Sequence, residues 1–403
     1  MLSSDYVERL FYLLSFLQVV TGLYLVWHAL LWLNYVRKRL QTDPGFYSPQ
    51  VAVICPCKGN EPGLERNLVS LTEFERQNYE IFFVLASDKD PARNIVDRVA
   101  KSSKVKCNLI IAGNPIQSGE KVNNLRVAIE QLPPEFEVIA FCDSDGRPGR
   151  SWLHHLVAPL ADSGIGATTT MRWFIPTRTN FPTAMLAAWN APVVTMLGEK
   201  GRNFCWGGGT SILRTTLEQS GVMEDWKRSV SDDYSLTRAL ERVGKPIVFI
   251  PECLTPSYID TNFDGLLDFT NRQILITRVY AERIWRAALL THSLYCLTLL
   301  VGLALILSDF VAQRPVFHLM TLAMLPVLLS AIRGAIRLHG VTEAMPSVRA
   351  QFGGQGWIYV LLPSIVPFLY LANFINSLVT RTIRWRGVTY ELLGPDQIRI
   401  VGR

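Results

Sequence analysis

Two aspartates one residue apart, Asp143-Ser144-Asp145, end the apolar run Ile139-Ala140-Phe141-Cys142. A buried strand that stops this way turns its carboxylates out at the edge of a sheet. Oxygen ligands of this kind suit a hard divalent cation, Mg²⁺ or Mn²⁺, whose shell the oxygens of a diphosphate can complete. The same residues also suit an Asx-turn with satisfied aspartates. A second acidic pair, Asp88 and Asp90, follows the run at 82–86 and could accept hydrogen bonds from a nucleotide base or sugar. The alternative is a turn at Asp88 and a helix start at Asp90-Pro91. A third pair, Asp232 and Asp233, precedes a helical stretch at 235–243. One of these could be a general base that takes a proton from a hydroxyl. Ser231 and the aspartates would equally serve as helix caps.

Cations and glycines accompany these acids. Lys58-Gly59 follows the first strand-like run, and Lys121-Val122-Asn123-Asn124 opens a helix after Gly119. Lysine and backbone amides at a helix N-terminus can hold phosphate, although a solvated helix start has the same composition. Trp206-Gly207-Gly208-Gly209-Thr210-Ser211 is followed by a strand expected at 212–214. Its glycines would let the backbone approach a ligand, with Trp206 and the hydroxyls offering stacking and hydrogen bonds. A tight ligand-free loop reads the same. Residues 264–286 read as one amphipathic helix carrying Arg272, Gln273, Arg278, Arg283 and Arg286. On it Arg278, Glu282 and Arg286 would share a face. Arginines there suit bidentate phosphate contact or anionic lipid headgroups.

The elements that must position these groups alternate. Short apolar runs at 51–55, 81–85, 108–111 and 138–142 are of strand length, and 64–74, 92–101 and 121–131 lie between them as helices. The pattern predicts an α/β domain on a mostly parallel sheet, with ligands at the carboxyl ends of the strands. Neither G-x-G-x-x-G nor G-x-x-x-x-G-K-[ST] occurs, which argues against a dinucleotide or P-loop site. The 403 residues are 49% hydrophobic and only 18% charged. Soluble domains carry about 25% charge, so the deficit points to membrane-embedded parts and excludes a disordered tail protein. The net charge of +6 comes without a lysine-rich stripe, so no nucleic-acid partner is expected. Seven cysteines form no zinc-ligand spacing. They read as reduced small hydrophobes, which suits a cytoplasm-facing domain.

Four stretches without charge, 10–33, 287–308, 316–332 and 357–380, are candidates for membrane crossing, which takes about 20 residues. Arg37-Lys38-Arg39 after the first places the chain beyond residue 33 in the cytoplasm by the positive-inside rule. Arg333, Arg337 and Arg349 return to the same side after the third. The fourth contains Pro363, Pro367, Asn373 and Asn376, so it either spans or bends back as a re-entrant hairpin. Residues 179–197 are uncharged but interrupted by Pro182 and Pro192, and read as a segment at the membrane surface.

In their order, these motifs resemble a family-two inverting glycosyltransferase of the ceramide glucosyltransferase-like kind, with bacterial relatives. The resemblance runs through Pro56-Cys57-Lys58-Gly59, Asp88-Lys89-Asp90-Pro91-Ala92, Lys121-Val122-Asn123-Asn124, Cys142-Asp143-Ser144, Gly209-Thr210-Ser211 and Asp232-Asp233-Tyr234. It ends in the tail at Ile383-Arg384-Trp385-Arg386 and Tyr390. It implies a GT-A nucleotide-sugar fold, a UDP-sugar donor and a membrane-lipid acceptor, ceramide-like or hopanoid-like. Asp143 would hold metal and diphosphate, with Asp145 in support. Asp233 would be the base of a single in-line displacement, with Asp232 beside it. Lys58, Asp88, Asp90, Lys121, Asn123, Asn124, Trp206, Gly208, Gly209, Thr210 and Gln273 would line the substrates. The family's [Q/R]-x-x-R-W motif is altered here. Arg272 matches, but Leu275-Ile276 stand where R-W belongs, and Arg278 is the expected replacement. The same letters recur at Arg381–Trp385, outside the motif's place. The implied organisation is an anchor at 1–33, a cytoplasmic transferase domain at 34–286, membrane helices at 287–380 and a basic tail at 381–403. The implied location is a bacterial inner membrane or a Golgi/ER-type membrane. Competing readings are a processive polysaccharide synthase and a non-catalytic membrane transporter or binding protein.

Overall fold

The computed structural model describes residues 4–76, 78–199 and 203–402, which pack as two compact units. The α/β unit takes Tyr35–Thr177, Met196–Asp260 and the chain from Arg381 onward. The helical unit takes the chain up to Asn34, Arg178–Thr195 and Thr261–Thr380.

In the α/β unit, strands β1 (Val51–Pro56), β2 (Tyr79–Leu85), β3 (Cys107–Ile111) and β4 (Val138–Cys142) lie parallel in the order β3-β2-β1-β4. The sheet continues through β7 (Gly209–Leu213), β5 (Ala167–Thr169) and β8 (Ile247–Phe249), with β7 antiparallel to both β4 and β5. The mostly parallel sheet expected from the alternation is present. Strand periodicity splits its residues between two cores. Val51, Val53, Cys55, Phe83 and Ala140 pack with Leu68, Val96 and Trp152 on one face. Ala52, Ile54, Phe82, Ile139 and Phe141 pack with Val122, Leu125, Trp226 and Leu236 on the other. Strands buried on both faces need apolar side chains at every position, which is why these runs are continuous. All seven cysteines are free, and burial pushes the Cys142 and Cys205 thiols up, as inert small hydrophobes require.

Two smaller sheets complete this unit. β6 (Arg172–Pro176) pairs parallel with β9 (Thr255–Ile259). The tail forms the antiparallel sheet β10 (Thr382–Trp385), β11 (Val388–Gly394) and β12 (Gln397–Gly402). One expectation shifts: the strand placed at 212–214 is Gly209–Leu213, and Arg214 already begins a helix. Gly209 pairs with Cys142 at the end of β4. A Cβ at Gly209 would lie 2.9 Å from the Trp206 ring, so only glycine lets the strand begin there.

Three helices are each long and apolar enough to cross a membrane: Ser4–Leu40, which belongs to the helical unit as far as Asn34, and Glu282–Val311 and Phe317–Ala344 within it. Leu13, Phe16, Trp27, Leu290, Leu303, Leu307 and Met324 stand exposed along them, as lipid-facing side chains would. The fourth apolar stretch is two helices, Gly356–Ser364 and Val366–Val379, bent by 62°. The single helix expected at 264–286 is broken. Phe263–Tyr280 ends at Ala281, whose backbone is not helical, and Glu282 starts the next helix. Arg278 therefore does not continue the Glu282–Arg286 face, although that pair does close at 2.6 Å. The break lets Arg278 Nη1 donate to the Ser377 carbonyl while Trp285 Nε1 donates to the Ser377 hydroxyl at 3.1 Å. Segment 179–197 folds as a helix, Phe181–Asn190, and a following 3-10 turn. Trp189 there stacks on Tyr370 at 4.7 Å and donates to Asn373 Oδ1 at 3.2 Å. Asn373 in turn donates to Thr270 and Asn271, so this asparagine of the bent segment is fully engaged within this unit.

Small residues set the close approaches of the first helix. Cβ atoms at Gly22, Gly302 and Gly340 would collide with Leu329, Phe11 and Trp32. Backbones that approach this closely do so through small residues. Gly340→Leu is expected to lower stability by about 1–3 kcal/mol through overpacking, read as a drop in melting temperature in detergent micelles.

Candidate active site

The carboxyl edge of β1 and β4 gathers a cluster of buried charged residues. Asp143 directly follows β4, and Lys121 lies in the first turn of the helix Glu120–Gln131. Lys121 Nζ is 2.7 Å from Asp143 Oδ1 and 3.1 Å from Asp232 Oδ2. Arg172, the first residue of β6, donates to Asp143 Oδ2 and Asp145 Oδ2, each at 2.8 Å. Its guanidinium lies 5.1 Å from the Trp206 ring. One lysine and one arginine thus join three carboxylates, and the five residues come from four separate stretches of chain. Gly119 makes the junction close enough: its N–H donates to the Ser229 carbonyl at 2.8 Å, and a Cβ there would stand 3.0 Å from the Val230 backbone.

The electrostatics separate the acids. Burial opposes the charge on Asp143, but Lys121 and Arg172 outweigh it and hold its carboxyl below the usual range. Burial likewise opposes the Lys121 charge, and Asp143 and Asp232 restore it, so the ammonium is held above its ordinary value. Asp232 is almost fully buried with only a share of Lys121, and burial pushes its carboxyl up to about 6. Asp233 is half-buried beside it. Its Oδ1 accepts from the Ser231 hydroxyl and, at 2.8 Å, from the Tyr234 N–H. Ser231 is the N-cap of the helix Asp232–Arg242. Capping and a candidate base therefore coexist in one turn.

The glycine run lies against these charges. A Cβ at Gly207 would fall 2.7 Å from Lys121 Nζ and closer still to the Asp232 carboxylate, and one at Gly208 would meet Asp143 and the Trp206 ring. Thr169 Oγ1 accepts from the Trp206 N–H at 2.9 Å, and Thr210 Oγ1 donates to the Trp206 carbonyl at 2.8 Å. Thr210 thus supports the loop from within the core. Other expected site residues are placed in structural roles. Asp90 Oδ1 accepts from the N–H groups of Gly59 and Ala92, fixing the loop after β1 to a helix start. Asp88 is exposed at the end of β2. Asn123 donates to the Ala112 and Gly113 carbonyls. Asn124 Oδ1 is buried without a partner. Lys58 pairs with Glu120 at 2.7 Å.

Nothing in the sequence alone marks Arg172 or Glu61 as a site residue, and Arg386 stands out there only as part of the tail match Ile383-Arg384-Trp385-Arg386. The tail hairpin turns through Arg386-Gly387, both with positive φ, between the paired residues Trp385 and Val388. Such a two-residue turn favours Asn or Gly, so an arginine at φ 48° is costly there. Arg386 donates to the Lys58 carbonyl and to Glu61 Oε2, each at 2.9 Å, and adds to the cations that stabilise charged Asp143. Tyr390 of β11 accepts the Glu120 N–H at 3.1 Å, at the start of the Lys121 helix. The tail sheet is therefore part of the α/β unit at its charged edge. Arg272, Gln273 and Arg278 lie on the helix Phe263–Tyr280 of the helical unit.

A divalent cation fits the D-x-D pair. Asp145 Oδ1 is buried without a hydrogen-bond partner, beside the Asp143 carboxylate. Such a carboxylate oxygen is a hard-cation ligand. Among the described residues no cluster of three or more His, Cys, Asp or Glu forms a cage, so further ligands would come from substrate oxygens.

A mostly parallel α/β unit with acidic strand ends, joined in one chain to a helical unit of membrane-spanning length, has the form of a GT-A transferase. The chain matches the model of Glycosyl transferase family 21 over residues 10–398 and belongs to that family. It is 23% identical over 231 residues to ceramide glucosyltransferase 1 of Caenorhabditis elegans, covering 56% of this chain and 49% of that protein. The matched part thus spans about half the length of that relative. To ceramide glucosyltransferase 3 of the same organism it is 22% identical over 87% of this chain and 74% of that protein. The solved mannosyltransferase PcManGT of Pyrobaculum calidifontis, in complex with GDP-Man and Mn²⁺, shares the fold. The TM-score is 0.50, at 15% identity, over 93% of this chain and 98% of that one.

Two outcomes test the charged cluster. Lys121→Met leaves buried Asp232 without its cation and Asp143 with Arg172 alone, and is expected to cost about 3–5 kcal/mol, read by denaturant unfolding of the detergent-solubilised protein. Folded Asp232 keeps its proton up to about pH 6, whereas an unfolded aspartate releases it near 3.9. Its contribution to stability is complete below that lower value and is lost as pH rises toward 6. Asp232→Asn is expected to flatten the fall in melting temperature across that window.

Proposed function

We propose that the chain is an integral membrane glycosyltransferase. It moves a sugar from a UDP-sugar to the hydroxyl of a membrane lipid, ceramide-like or hopanoid-like, by a single inverting displacement. The observation that carries this reading is the Lys121–Asp143–Arg172 ion cluster at the glycine-lined edge of the sheet. Two cations stand there with a D-x-D pair that has one oxygen to spare. In this reading the departing diphosphate exchanges with the carboxylates for Lys121 and Arg172, and Arg386 supports the same charge. Bound Mg²⁺ or Mn²⁺ at Asp143 and Asp145 would supply Lewis-acid neutralisation of that diphosphate.

Asp233 is the proposed base, because it is the more open member of its pair and the Ser231 hydroxyl fixes its orientation. Asp232, with its carboxyl raised and paired to Lys121, couples the base turn to the diphosphate cluster. Lys58, Asp88, Asp90, Asn123, Asn124, Trp206, Gly208, Gly209 and Thr210 are assigned to the donor side, several of them as supports of its loops. Arg272, Gln273 and Arg278 are assigned to the acceptor side or the phosphate. The relatives' names favour a sphingoid lipid, and the GDP-Man of the solved mannosyltransferase leaves the nucleotide to be tested. The basic flank Arg37-Lys38-Arg39 favours a catalytic unit on the cytoplasmic side, in a bacterial inner membrane or a Golgi/ER-type membrane.

The test is nucleotide release by the protein in lipid nanodiscs, with a panel of UDP- and GDP-sugars, Mg²⁺ or Mn²⁺, and a lipid extract. Lipid-dependent UDP release is expected, with Asp233→Asn slowing it by about 10²–10⁴-fold. Release that survives Asp233→Asn would remove that residue as base. Release of GDP alone would overturn the UDP donor.

A further inference from the structure

The helix Phe317–Ala344 turns a stripe of small and polar residues inward: Ser330, Gly334, Arg337 and Gly340 are buried. Arg337 is 1% exposed, and its Nε and Nη1 are buried without any hydrogen-bond partner. One turn earlier, Arg333 is half-buried and its Nε is likewise unpartnered. Among the described residues no carboxylate forms an ion pair with either guanidinium. The side chains around them offer no negative charge. Tyr295, Tyr370 and His292 are the titratable groups that face the pair. Tyr295 donates its hydroxyl proton to the Ser364 carbonyl and Tyr370 donates its own to the Trp189 carbonyl. The bent helix pair covers this face closely. Ser330 donates to the Pro363 carbonyl at 3.1 Å, and a Cβ at Gly334 would run into the Tyr359 carbonyl.

Two neighbouring like charges, one fully buried and one half-buried, are costly without a counter-ion, and in membrane segments such groups mark a ligand or pathway. The arginines begin where the apolar run 316–332 ends, which is the level of lipid headgroups. The planar guanidinium, with its fork of donors, matches a phosphate. We propose that Arg333 and Arg337 form a binding site for the phosphate of an anionic membrane lipid headgroup. Arg333 meets the lipid at the more open position and Arg337 completes the contact behind it. The site stands on the helical unit alone and does not depend on the transfer reaction.

Thermal unfolding of the full chain in neutral detergent tests this, with phosphatidylglycerol, phosphate-free diacylglycerol or inorganic phosphate added at matched concentration. Phosphatidylglycerol is expected to raise the melting temperature by several degrees and diacylglycerol to leave it in place, as ligand linkage requires. A smaller rise is expected from inorganic phosphate. Arg337→Met is expected to fold at least as stably as wild type without lipid, because it deletes an unpaired buried cation, and to lose the phosphatidylglycerol shift. Arg333→Gln tests the same shift from the more open position and carries the test if the first variant does not fold. An equal shift with diacylglycerol, or a shift retained in both variants, overturns the proposal. An equal shift with inorganic phosphate overturns the lipid as its source.

Discussion

A desolvated ion cluster is the constraint on which the α/β unit turns. Charges withdrawn from water are tolerated only when paired and hydrogen-bonded. Lys121 is shared by Asp143 and Asp232, and Arg172 by Asp143 and Asp145. Satisfying both cations requires the end of β4, the start of the Lys121 helix, the first residue of β6 and the turn before Asp232–Arg242 to converge. Each convergence has its own device. The β4–β7 register sets Gly209 beside Cys142, the missing side chain of Gly119 admits Val230, and Thr169 and Thr210 pin the Trp206 backbone.

In the proposed reaction the same cluster would supply the chemistry. Cations already held among carboxylates need little reorganisation to accept an anionic group, because their positions are fixed before it arrives. The carboxylates differ in kind for physical reasons. Asp143 has two cations and stays ionised, while Asp232 has part of one and is raised by burial. Asp233 sits one residue on, in the first turn of the same helix. A single turn thus presents two aspartates in different surroundings, Asp232 buried against Lys121 and Asp233 half-buried.

The helical unit obeys another rule. Its outer faces are apolar, and its inner contacts use glycines, buried hydroxyls and asparagine amides. In a lipid environment packing and hydrogen bonds hold helices together, since lipid is as apolar as the side chains. The bent pair after Gly356 and the break at Ala281 both leave backbone groups to be satisfied by neighbours. Arg278 donates to the Ser377 carbonyl, and Trp285 donates beside it to the Ser377 hydroxyl.

Local pattern in the chain was enough to dictate the strand and helix alternation, because runs such as Val138–Cys142 are buried on both sides and must be apolar throughout. The D-x-D at a strand end, the helix start at Lys121 and the apolar spans were legible for the same reason: each lies within one element. Which polar residues face the site was settled by folding. Asp90 and Asn123 have the right chemistry, but they serve loops, since the nearest donors and acceptors are backbone groups. Arg172 carries no local signal: it is an arginine opening a short strand, and its role exists only through Asp143 and Asp145, 27 or more residues earlier. Arg386 lies more than 300 residues from Lys58 and reaches it through a hairpin that only the folded tail creates. Contacts between distant segments follow from pairing register and packing. Those are global quantities, and no window of sequence contains them.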